Sequence, residues 1–346
     1  MIICSLEARI PSLRITNEHF ISRLAEMNPT LPPDALRHYE QQLRRLFARC
    51  GAETRYYRDR ARGETAIDLM VAACRSALGE AGVAASQLDL IIYCGVGRAF
   101  LEPATAYFVS RALGTSCDSF DILDGCMGWV RALHVAYNFL ESETYSRVLV
   151  VNGEFNTYEH GYPDLLRIDS PRKFRYTFPA LTIGEAATAA VLTPSSHRWN
   201  FHFRSDPTRV NLCTLPLPGY GDYIDKGDPV ALNGVGNFVS FGHDLLRLGL
   251  DRIDRFIRDI YPQWHEFDIW FPHAAAVDVC RAAAGRLALG DKVYWRGFPV
   301  YGNLVTASIP TAMWMARLEG VLTRGQRAVL CPVSTGMVFA LVDFQY

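Results

Sequence analysis

Apolar residues recur along the chain with two alternating spacings, and this alternation predicts an α/β fold. Short runs that are almost wholly apolar are typical of buried strands. Such runs lie at residues 88–94, 147–152, 184–192, 267–273, 327–331 and 338–342. Apolar residues at helical spacing predict helices at residues 34–48, 64–78, 127–140, 241–261, 274–289 and 309–318. Strands that alternate with helices favour sheets covered by helices on their outer faces.

The order of elements in the first part of the chain is repeated in the second part. The corresponding strands are 88–94 and 267–273, 147–152 and 327–331, and 184–192 and 338–342. We interpret this order as an internal duplication of a five-stranded α/β unit. It divides the chain into an N-terminal half, residues 1–195, and a C-terminal half, residues 196–346.

Composition narrows the range of possible functions. The chain has 346 residues, enough for two fused halves, and a hydrophobic fraction of 49% allows a large core. A formal net charge of −1 gives no electrostatic reason to expect binding to nucleic acid or to an anionic membrane. No apolar run approaches the ~18 residues of a membrane-spanning helix, and the N-terminus has no secretory pattern. We therefore expect a cytoplasmic globular protein.

Nine cysteines are scattered along the chain, and none forms a CxxC pair. This spacing indicates neither a disulfide framework nor a zinc site, and it fits a reducing compartment. We therefore expect no metal. Gly95 and Gly97 lack the third glycine of a dinucleotide-binding loop, so we expect no nucleotide cofactor at that position.

Cys126 is the strongest candidate for a nucleophile. The pattern predicts a buried strand that ends at residue 123, a tight turn at Asp124 and Gly125, and a helix from residue 127. A sulfur at such an elbow lies near the positive end of the helix dipole and near unpaired backbone N–H groups, which favour the thiolate. Cys126 could instead be a small buried hydrophobic residue. The Asp124 carboxylate would also raise the thiol pKa unless it points away.

Three further motifs combine with Cys126 into a family pattern. His273 lies in Phe-Pro-His-Ala-Ala-Ala, Asn303 lies in Tyr-Gly-Asn-Leu-Val-Thr-Ala-Ser, and residues 184–192 are Gly-Glu-Ala-Ala-Thr-Ala-Ala-Val-Leu. In this order the motifs resemble the thiolase superfamily, specifically its β-ketoacyl-acyl-carrier-protein synthase III branch, over nearly the whole chain. The resemblance implies a thiolase-like, five-layered α/β/α/β/α fold from two duplicated halves. It also implies a homodimer and a Cys-His-Asn active site at the junction of the halves.

The resemblance assigns a role to each of the three residues. Cys126 would attack an acyl thioester and hold the acyl chain covalently, while its backbone N–H binds the oxyanion. His273 and Asn303 would bind the thioester oxygen of the second substrate as its enolate forms. The substrates would be thioesters of acyl carrier protein or CoA, with no further cofactor. The alternative is that His273 is a core histidine and Asn303 a helix cap.

The chain departs from the usual synthase III pattern in its loops. Residues 274–276 are all alanine, where the family usually has Gln-Ala-Asn after the histidine. The family's glycine-rich C-terminal loop is reduced to residues 334–336, which leaves Ser334 and Gly336 as the candidates for a second oxyanion contact.

The N-terminal region also departs from the family. The tryptophan motif that stacks on the CoA adenine is absent, and a proline-rich segment, residues 28–48, stands in its place. We therefore do not expect CoA to bind in the usual way. Arg37, Arg44 and Arg45 of this segment either form a solvated face or bind an acyl carrier protein or a CoA phosphate.

Glu102 precedes Pro103 at a place where ordinary synthase III enzymes have no acid. It resembles the Glu-Pro element of the branch that joins two acyl chains without decarboxylation: olefin-pathway thiolases, pyrone synthases and dialkylresorcinol ketosynthases. A plain acyl thioester forms its carbanion by losing a proton, so this reaction needs a carboxylate base. In that branch the glutamate reaches the active site of the other subunit. The alternative is a surface or helix-starting Glu before Pro.

These observations predict a condensing enzyme of the acyltransferase class. We expect it to take an acyl group onto Cys126 and to join it to a second (β-keto)acyl thioester by Claisen condensation without decarboxylation. The product would belong to fatty-acid-derived or polyketide natural-product biosynthesis. Three alternatives stay open: decarboxylative condensation with malonyl carrier protein, acyl transfer to an alcohol or amine, and a non-catalytic subunit of a heterodimer.

Overall fold

The computed structural model of the chain describes residues 1–155 and 164–346. Its strands are β1 Ile2–Arg9, β2 Leu13–Thr16, β3 Thr54–Tyr57, β4 Leu90–Tyr93, β5 Asp118–Asp121, β6 Val148–Glu154, β7 Ala186–Thr193, β8 Asn200–Ser205, β9 Cys213–Thr214, β10 Val239–Ser240, β11 Ile269–Pro272, β12 Arg327–Cys331, β13 Val333–Ser334 and β14 Val338–Gln345. Its α-helices are α1 Asn17–Met27, α2 Pro33–Cys50, α3 Ala66–Ala81, α4 Thr105–Leu113, α5 Gly128–Glu141, α6 Phe174–Thr177, α7 Gly242–Ile260, α8 Val277–Arg286, α9 Gly297–Tyr301 and α10 Ser308–Leu318. The strands and helices that the apolar pattern predicts are all present.

Five strands of the N-terminal half form one sheet in the order β1-β7-β6-β4-β5. β4 runs parallel to β5 and β6, whereas β7 is antiparallel to β6 and to β1. Parallel strands place their carboxyl ends at one edge of a sheet, so the segments that follow β4, β5 and β6 meet there. Within the described residues, β5 has β4 as its only partner and leaves one sheet edge open.

The second sheet repeats this topology with strands of the C-terminal half. Its order is β11-β12-β14-β13, and β8 also pairs with β14. β11 is parallel to β12, as β4 is to β6, and β12 is antiparallel to β14, as β6 is to β7. Val293 forms a parallel bridge to Trp270 of β11, at the place that β5 takes beside β4. The shared topology confirms the predicted duplication.

Alternate residues of β4 face two different cores. Leu90 and Ile92 lie in a central core, together with α5, α10 and the inner face of the second sheet. Ile91 and Tyr93 lie in an outer core with α3 and α4. On the opposite side of the molecule, α7 packs against the outer face of the second sheet. The layers therefore follow the order α/β/α/β/α, and the predicted five-layered fold is confirmed.

No helix within residues 1–155 and 164–346 is long and apolar enough to cross a membrane.

Candidate active site

Cys126 lies at a tight turn between β5 and α5, as the sequence predicts. The backbone N–H of Met127 donates to the carbonyl of Asp124 at 2.9 Å and closes the turn. Gly125 has a φ of 49°, in the left-handed region that favours glycine. A Cβ atom on Gly125 would lie 2.6 Å from Oγ1 of Thr335. The elbow is therefore in direct contact with the C-terminal loop at residues 334–336.

The first residue of α5 lies where the two halves meet. A Cβ atom on Gly128 would lie 2.6 Å from the carbonyl oxygen of Cys94 and 3.2 Å from Cγ2 of Thr306. Cys94 directly follows β4, whereas Thr306 belongs to the short helical turn Val305–Ala307 that precedes α10. The nucleophile elbow is thus enclosed by a strand end of its own half and by a loop of the other half.

The surroundings of Cys126 disfavour its thiolate form. Burial raises the pKa of the thiol well above its ordinary value, and nearby Cys213 and Glu154 shift the pKa in the same direction. The Ser334 hydroxyl lowers the pKa by hydrogen bonding, but it does not offset burial. The backbone N–H at the elbow lowers the pKa of the thiol, as the sequence predicts, but burial has the larger effect.

The Asp124 carboxylate points away from the thiol. Its Oδ2 accepts a hydrogen bond of 2.7 Å from Nε of Arg131, one helical turn into α5. The guanidinium of Arg131 also lies over the ring of Phe203 in β8, 3.9 Å from its centroid. Arg131 therefore neutralises the charge that the sequence places beside the nucleophile.

A cavity of about 110 Å³ lies beside Cys126. Most of its lining is apolar and comes from both halves: Val96, Leu165, Ala180, Ile183, Leu215, Phe238 and Val305. Its remaining lining residues are Tyr57, Gly125, Cys213, Thr214 and Thr335. A cavity with an apolar wall and a thiol at one end suits the acyl chain of a thioester.

His273 directly follows β11, as the sequence predicts. Burial lowers the pKa of its imidazole to about 4, so the ring is neutral at neutral pH. Its Nδ1 atom is buried and has no hydrogen-bond partner among the described residues. A neutral ring offers one N–H donor and one nitrogen acceptor. The interpretation of His273 as a core histidine with satisfied hydrogen bonds does not fit this finding.

Asn303 is held by its backbone. Its N–H donates to the carbonyl of Thr182 at 2.8 Å, and its carbonyl accepts from the N–H of Gly184 at 3.0 Å. Its side-chain Oδ1 accepts from the N–H of Val305 at 2.9 Å, as in an Asx turn. The N-cap of the helical turn Val305–Ala307 is Leu304, so Asn303 is not the helix cap of the alternative interpretation. Asn303 forms an Asx turn before it, and this turn uses only Oδ1. The amide NH₂ group is the part that can act as a donor in the site.

The structure brings His273 and Asn303 to one region. Pro272 and Ala274, on either side of His273, line a small cleft together with Gly302 and Leu304, on either side of Asn303. Two contacts connect Asn303 to the cavity beside Cys126. Ile183, which lines that cavity, forms a backbone bridge to Asn303, and Val305, which donates to its side chain, lines it as well.

Glu102 does not line the Cys126 cavity of its own chain. It is exposed, and its peptide bond to Pro103 is cis. Phe100 and Leu101, which precede it, are exposed large apolar residues. Within one chain, the predicted base is therefore not among the residues that line the cavity of the predicted nucleophile.

The remaining predicted residues lie in two places. Ser334 is buried at the end of β13, and Gly336 has a φ of 113° with a cis peptide bond to Met337. On α2, Arg37 and Arg44 form exposed ion pairs with Asp34 and Glu18, and Arg45 is exposed. These pairs favour a solvated face over a dedicated phosphate site.

Sequence reasoning missed Glu154. This residue ends β6 and is fully buried. Its Oε1 accepts from the N–H of Val96 at 2.9 Å, and its Oε2 accepts from the N–H of Gly97 at 3.1 Å. The hydroxyl and the N–H of Thr306 also donate to Oε1. Burial raises the pKa of Glu154 to about 7, although its hydrogen bonds act in the opposite direction. The only signal in the sequence is an acid that closes an apolar strand.

Within the part of the chain that the structure describes, no group of three or more His, Cys, Asp or Glu side chains is arranged to hold a metal ion.

Comparison with known proteins identifies relatives in sequence. Residues 120–207 match the family described as 3-oxoacyl-[acyl-carrier-protein] synthase III, and residues 262–346 match the description of its C-terminal domain. The chain is 25% identical over 305 residues to the β-ketoacyl-[acyl-carrier-protein] synthase III of Vesicomyosocius okutanii, covering 87% of this chain and 89% of that protein. It is 27% identical over 289 residues to the enzyme of the same name from Symbiobacterium thermophilum, covering 82% and 84%.

Solved structures with the same fold cover nearly the whole chain. OleA of Xanthomonas campestris, in a cysteine-to-serine variant with bound lauric acid and lauroyl-CoA, superposes with a TM-score of 0.81 at 23% identity. The match covers 99% of this chain and 98% of that one. The 3-oxoacyl-(acyl carrier protein) synthase III of Xanthomonas oryzae superposes with a TM-score of 0.79 at 24% identity, covering 99% and 98%. At this level of identity the two structures establish the fold.

Proposed function

Because the chain belongs to the β-ketoacyl-acyl-carrier-protein synthase III family of the thiolase superfamily, and is a condensing acyltransferase, we propose that it joins two acyl thioesters without decarboxylation. One acyl chain is carried on Cys126, and the second substrate is an acyl or β-ketoacyl thioester. Acyl carrier protein or CoA carries both substrates, and no further cofactor takes part. The enzyme acts in the cytoplasm, in natural-product biosynthesis from fatty acids or polyketides.

The acylation step begins with a protonated thiol. Since burial keeps the Cys126 thiol protonated at neutral pH, its proton must leave as the sulfur attacks the thioester carbon. We assign this proton to neutral His273, whose lowered pKa leaves a ring nitrogen free to accept it. The backbone N–H at the elbow stabilises the oxyanion, and His273 passes its proton to the carrier sulfur, which leaves as the thiol.

The condensation step needs a proton acceptor and a group that stabilises the enolate. In our proposal Glu102 takes the α-proton of the second thioester, and the NH₂ group of Asn303 and an N–H of His273 donate to the enolate oxygen. The enolate carbon attacks the acyl carbon on Cys126. One carbon–carbon bond forms and the carbon–sulfur bond to Cys126 breaks. The sulfur takes up one proton, which balances the α-proton removed by Glu102.

The placement of Glu102 is the observation that carries this proposal. The side chain is exposed, outside the cavity of its own chain, and four large apolar side chains around its loop remain in contact with water. Their exposed fractions are 49% for Phe100, 78% for Leu101, 55% for Tyr107 and 58% for Leu123. Tyr107 belongs to α4 and Leu123 follows β5, which is an edge strand of the sheet among the described residues. A second copy of the chain on this face would bury these four side chains and bring Glu102 to the partner's cavity.

A mixed-dimer experiment tests the proposal. Homodimers of Cys126→Ala and of Glu102→Gln are each expected to form no condensation product. After subunit exchange, each mixed dimer holds one site with an intact Cys126 and an intact Glu102 from different chains, so activity returns. If Glu102 acts within its own chain or takes no part, exchange of subunits restores nothing beyond the activity of the separate variants.

The names of the sequence relatives favour a second candidate, decarboxylative condensation with malonyl carrier protein. In that reaction the enolate forms by loss of carbon dioxide, so Glu102 is not required. Release of carbon dioxide in proportion to product, with full activity in Glu102→Gln, would identify this reaction.

A further inference from the structure

The buried carboxylate of Glu154 lies where two loops of the cavity meet. Through Val96 and Gly97 it holds the segment that follows β4, and through Thr306 it holds the loop that precedes α10. The hydroxyl of Thr306 also accepts from Nδ2 of Asn152 at 2.5 Å. Glu154 therefore connects the two halves of the chain at the level of the site.

The first loop leads directly to Glu102. Its far end is held by a second carboxylate, Asp121, which accepts from the backbone N–H groups of Thr105 and Ala106 at 2.8 and 2.9 Å. Arg98 lies between the two ends, 3.6 Å from Asp121. The segment with Glu102 is thus fixed at its start by Glu154 and at its end by Asp121.

The second loop holds Asn303. Thr306 lies three residues after it, and Val305, between them, donates its N–H to the Asn303 side chain. A shift of Thr306 would therefore move the amide that our proposal places at the enolate oxygen. The nucleophile belongs to a different segment, the elbow between β5 and α5. Thr306 faces Gly128 of this elbow with its Cγ2 methyl group, whereas its hydroxyl binds Glu154.

We propose that Glu154 is a positioning residue for the condensation step, which fixes the Asn303 loop in the site of its own chain and the start of the segment that carries Glu102 to the partner's site. The inference rests on the proposed function for the roles of these two residues. Glu154 does not touch substrate, because it is fully buried and both of its oxygens accept hydrogen bonds from the protein. A carboxylate suits this place because it is acceptor-only and can receive N–H and O–H donors on both oxygens.

The test separates the two half-reactions in full-length protein. Glu154→Gln keeps the shape of the side chain but replaces one acceptor oxygen by an NH₂ group. This NH₂ group faces N–H donors and cannot accept their hydrogen bonds. Acyl transfer to Cys126 is followed by intact-protein mass spectrometry, and condensation by product formation from the preloaded enzyme. Glu185→Gln is the matched control, since Glu185 is an equally buried carboxylate that accepts hydrogen bonds from Arg58.

We expect Glu154→Gln to load Cys126 no more slowly than the wild type, because it removes a charge that raises the pKa of the thiol. It should condense about 30-fold more slowly, because small displacements of catalytic groups have large effects on rate. Glu185→Gln should change both half-reactions in the same proportion. Thr306→Val, which removes one donor to Glu154, should show a smaller loss confined to condensation. The inference is overturned if Glu154→Gln slows both steps equally or leaves condensation unchanged.

A failure of the proposed function gives a different experimental result from a failure of the inference about Glu154. If the wild type condenses only with a malonyl thioester, Glu102 is not the base. The loading and condensation rates of Glu154→Gln and wild type are then compared in the decarboxylative reaction. Asn303 still binds the enolate oxygen there, so a loss confined to condensation supports Glu154 as a positioning residue. An equal loss in both half-reactions overturns it.

Discussion

Nε of Arg131 donates a hydrogen bond of 2.7 Å to Oδ2 of Asp124, two residues before Cys126. The pair keeps an acidic side chain turned away from a thiol whose pKa burial already raises. It also connects the elbow to β8 of the other half, where the Arg131 guanidinium lies over Phe203. A carboxylate beside the nucleophile is thus tolerated because its charge is compensated.

Removal of the Arg131 charge, which compensates the Asp124 carboxylate, should slow the reactions of the Cys126 thiol. In Arg131→Gln the unpaired Asp124 carboxylate disfavours the thiolate, and we expect alkylation of Cys126 by iodoacetamide at pH 8 to fall about threefold or more. Peptide mass spectrometry measures the rate at this one cysteine. Arg131→Lys keeps the positive charge and should react nearly as the wild type does. Equal rates in Arg131→Gln and wild type would show that the ion pair does not protect the nucleophile.

His273 should make the protein less stable in acid. Its pKa is about 4 in the fold against about 6.5 in an unfolded chain, so only the unfolded chain gains a proton as pH falls through this range. The resulting loss of unfolding free energy is up to about 3 kcal/mol between pH 7 and pH 4. His273→Asn has no imidazole at this position, so it should not show this loss of unfolding free energy. Urea unfolding at several pH values should show the variant gaining stability relative to wild type in acid; a constant difference contradicts the lowered pKa.

Glu154 should act on stability in the opposite direction. Its pKa rises from 4.5 to about 7 in the fold, so the folded protein holds a proton that the unfolded chain has lost. The contribution of Glu154 to stability is therefore greatest at low pH and falls by about 3 kcal/mol as pH rises from 4.5 through 7. Glu154→Gln does not titrate and should lack this fall. Identical pH dependence of unfolding in the two proteins would show that Glu154 has an ordinary pKa.

The same titration should appear in the condensation rate. The ionised carboxylate is the better acceptor for the N–H groups of Val96 and Gly97, so condensation should increase as pH rises through about 7. Tyr93, Cys94 and Cys126 couple electrostatically to Glu154, and burial raises the pKa of each above its ordinary value. None of the three therefore titrates near pH 7. A single-turnover pH profile of preloaded enzyme that is flat between pH 6 and 8 would contradict this expectation.

Gly125 should be essential to the shape of the elbow. An added methyl group would lie 2.6 Å from Oγ1 of Thr335, at a residue with positive φ. We expect Gly125→Ala to load acyl groups on Cys126 about tenfold more slowly or worse, because backbone strain and a displaced loop both act at the nucleophile. In the double variant with Thr335→Ala the clash is relieved, and part of the rate should return. Normal acylation by Gly125→Ala would show that the elbow tolerates this displacement.

Local motifs account for most of what could be predicted from the sequence. Cys126, His273 and Asn303 each follow a strong apolar run or open a helix, so their places at strand ends and turns follow from short-range pattern. An α/β fold of two similar halves also follows, because buried strands and their covering helices have distinct periodicities. The five-layered order of the fold is implied by the family resemblance. β8 gave no such signal, because it lies on the sheet edge and only part of its surface is buried.

Features that depend on long-range contacts could not be predicted. Glu154 receives donors from residues 96, 97 and 306, and no spacing along the chain shows that these loops meet. The raised pKa of Cys126 has a similar origin, since it results from burial in the folded chain and from Cys213, which is distant in sequence. The helix N-terminus is visible in the sequence, but the loss of water that outweighs it is a property of the folded chain.

The most direct test of the central claim follows two labelled thioesters through the enzyme without malonyl donor. The first has a ¹³C-labelled carbonyl, and the second is deuterated at its α-carbon. We predict an acyl adduct on wild type and on Glu102→Gln but not on Cys126→Ala. The wild-type adduct should then give a product that keeps both carboxyl-derived carbons and has lost one α-deuterium, while the Glu102→Gln adduct persists. An adduct on wild type that persists until malonyl thioester is added, with carbon dioxide released, would contradict the account.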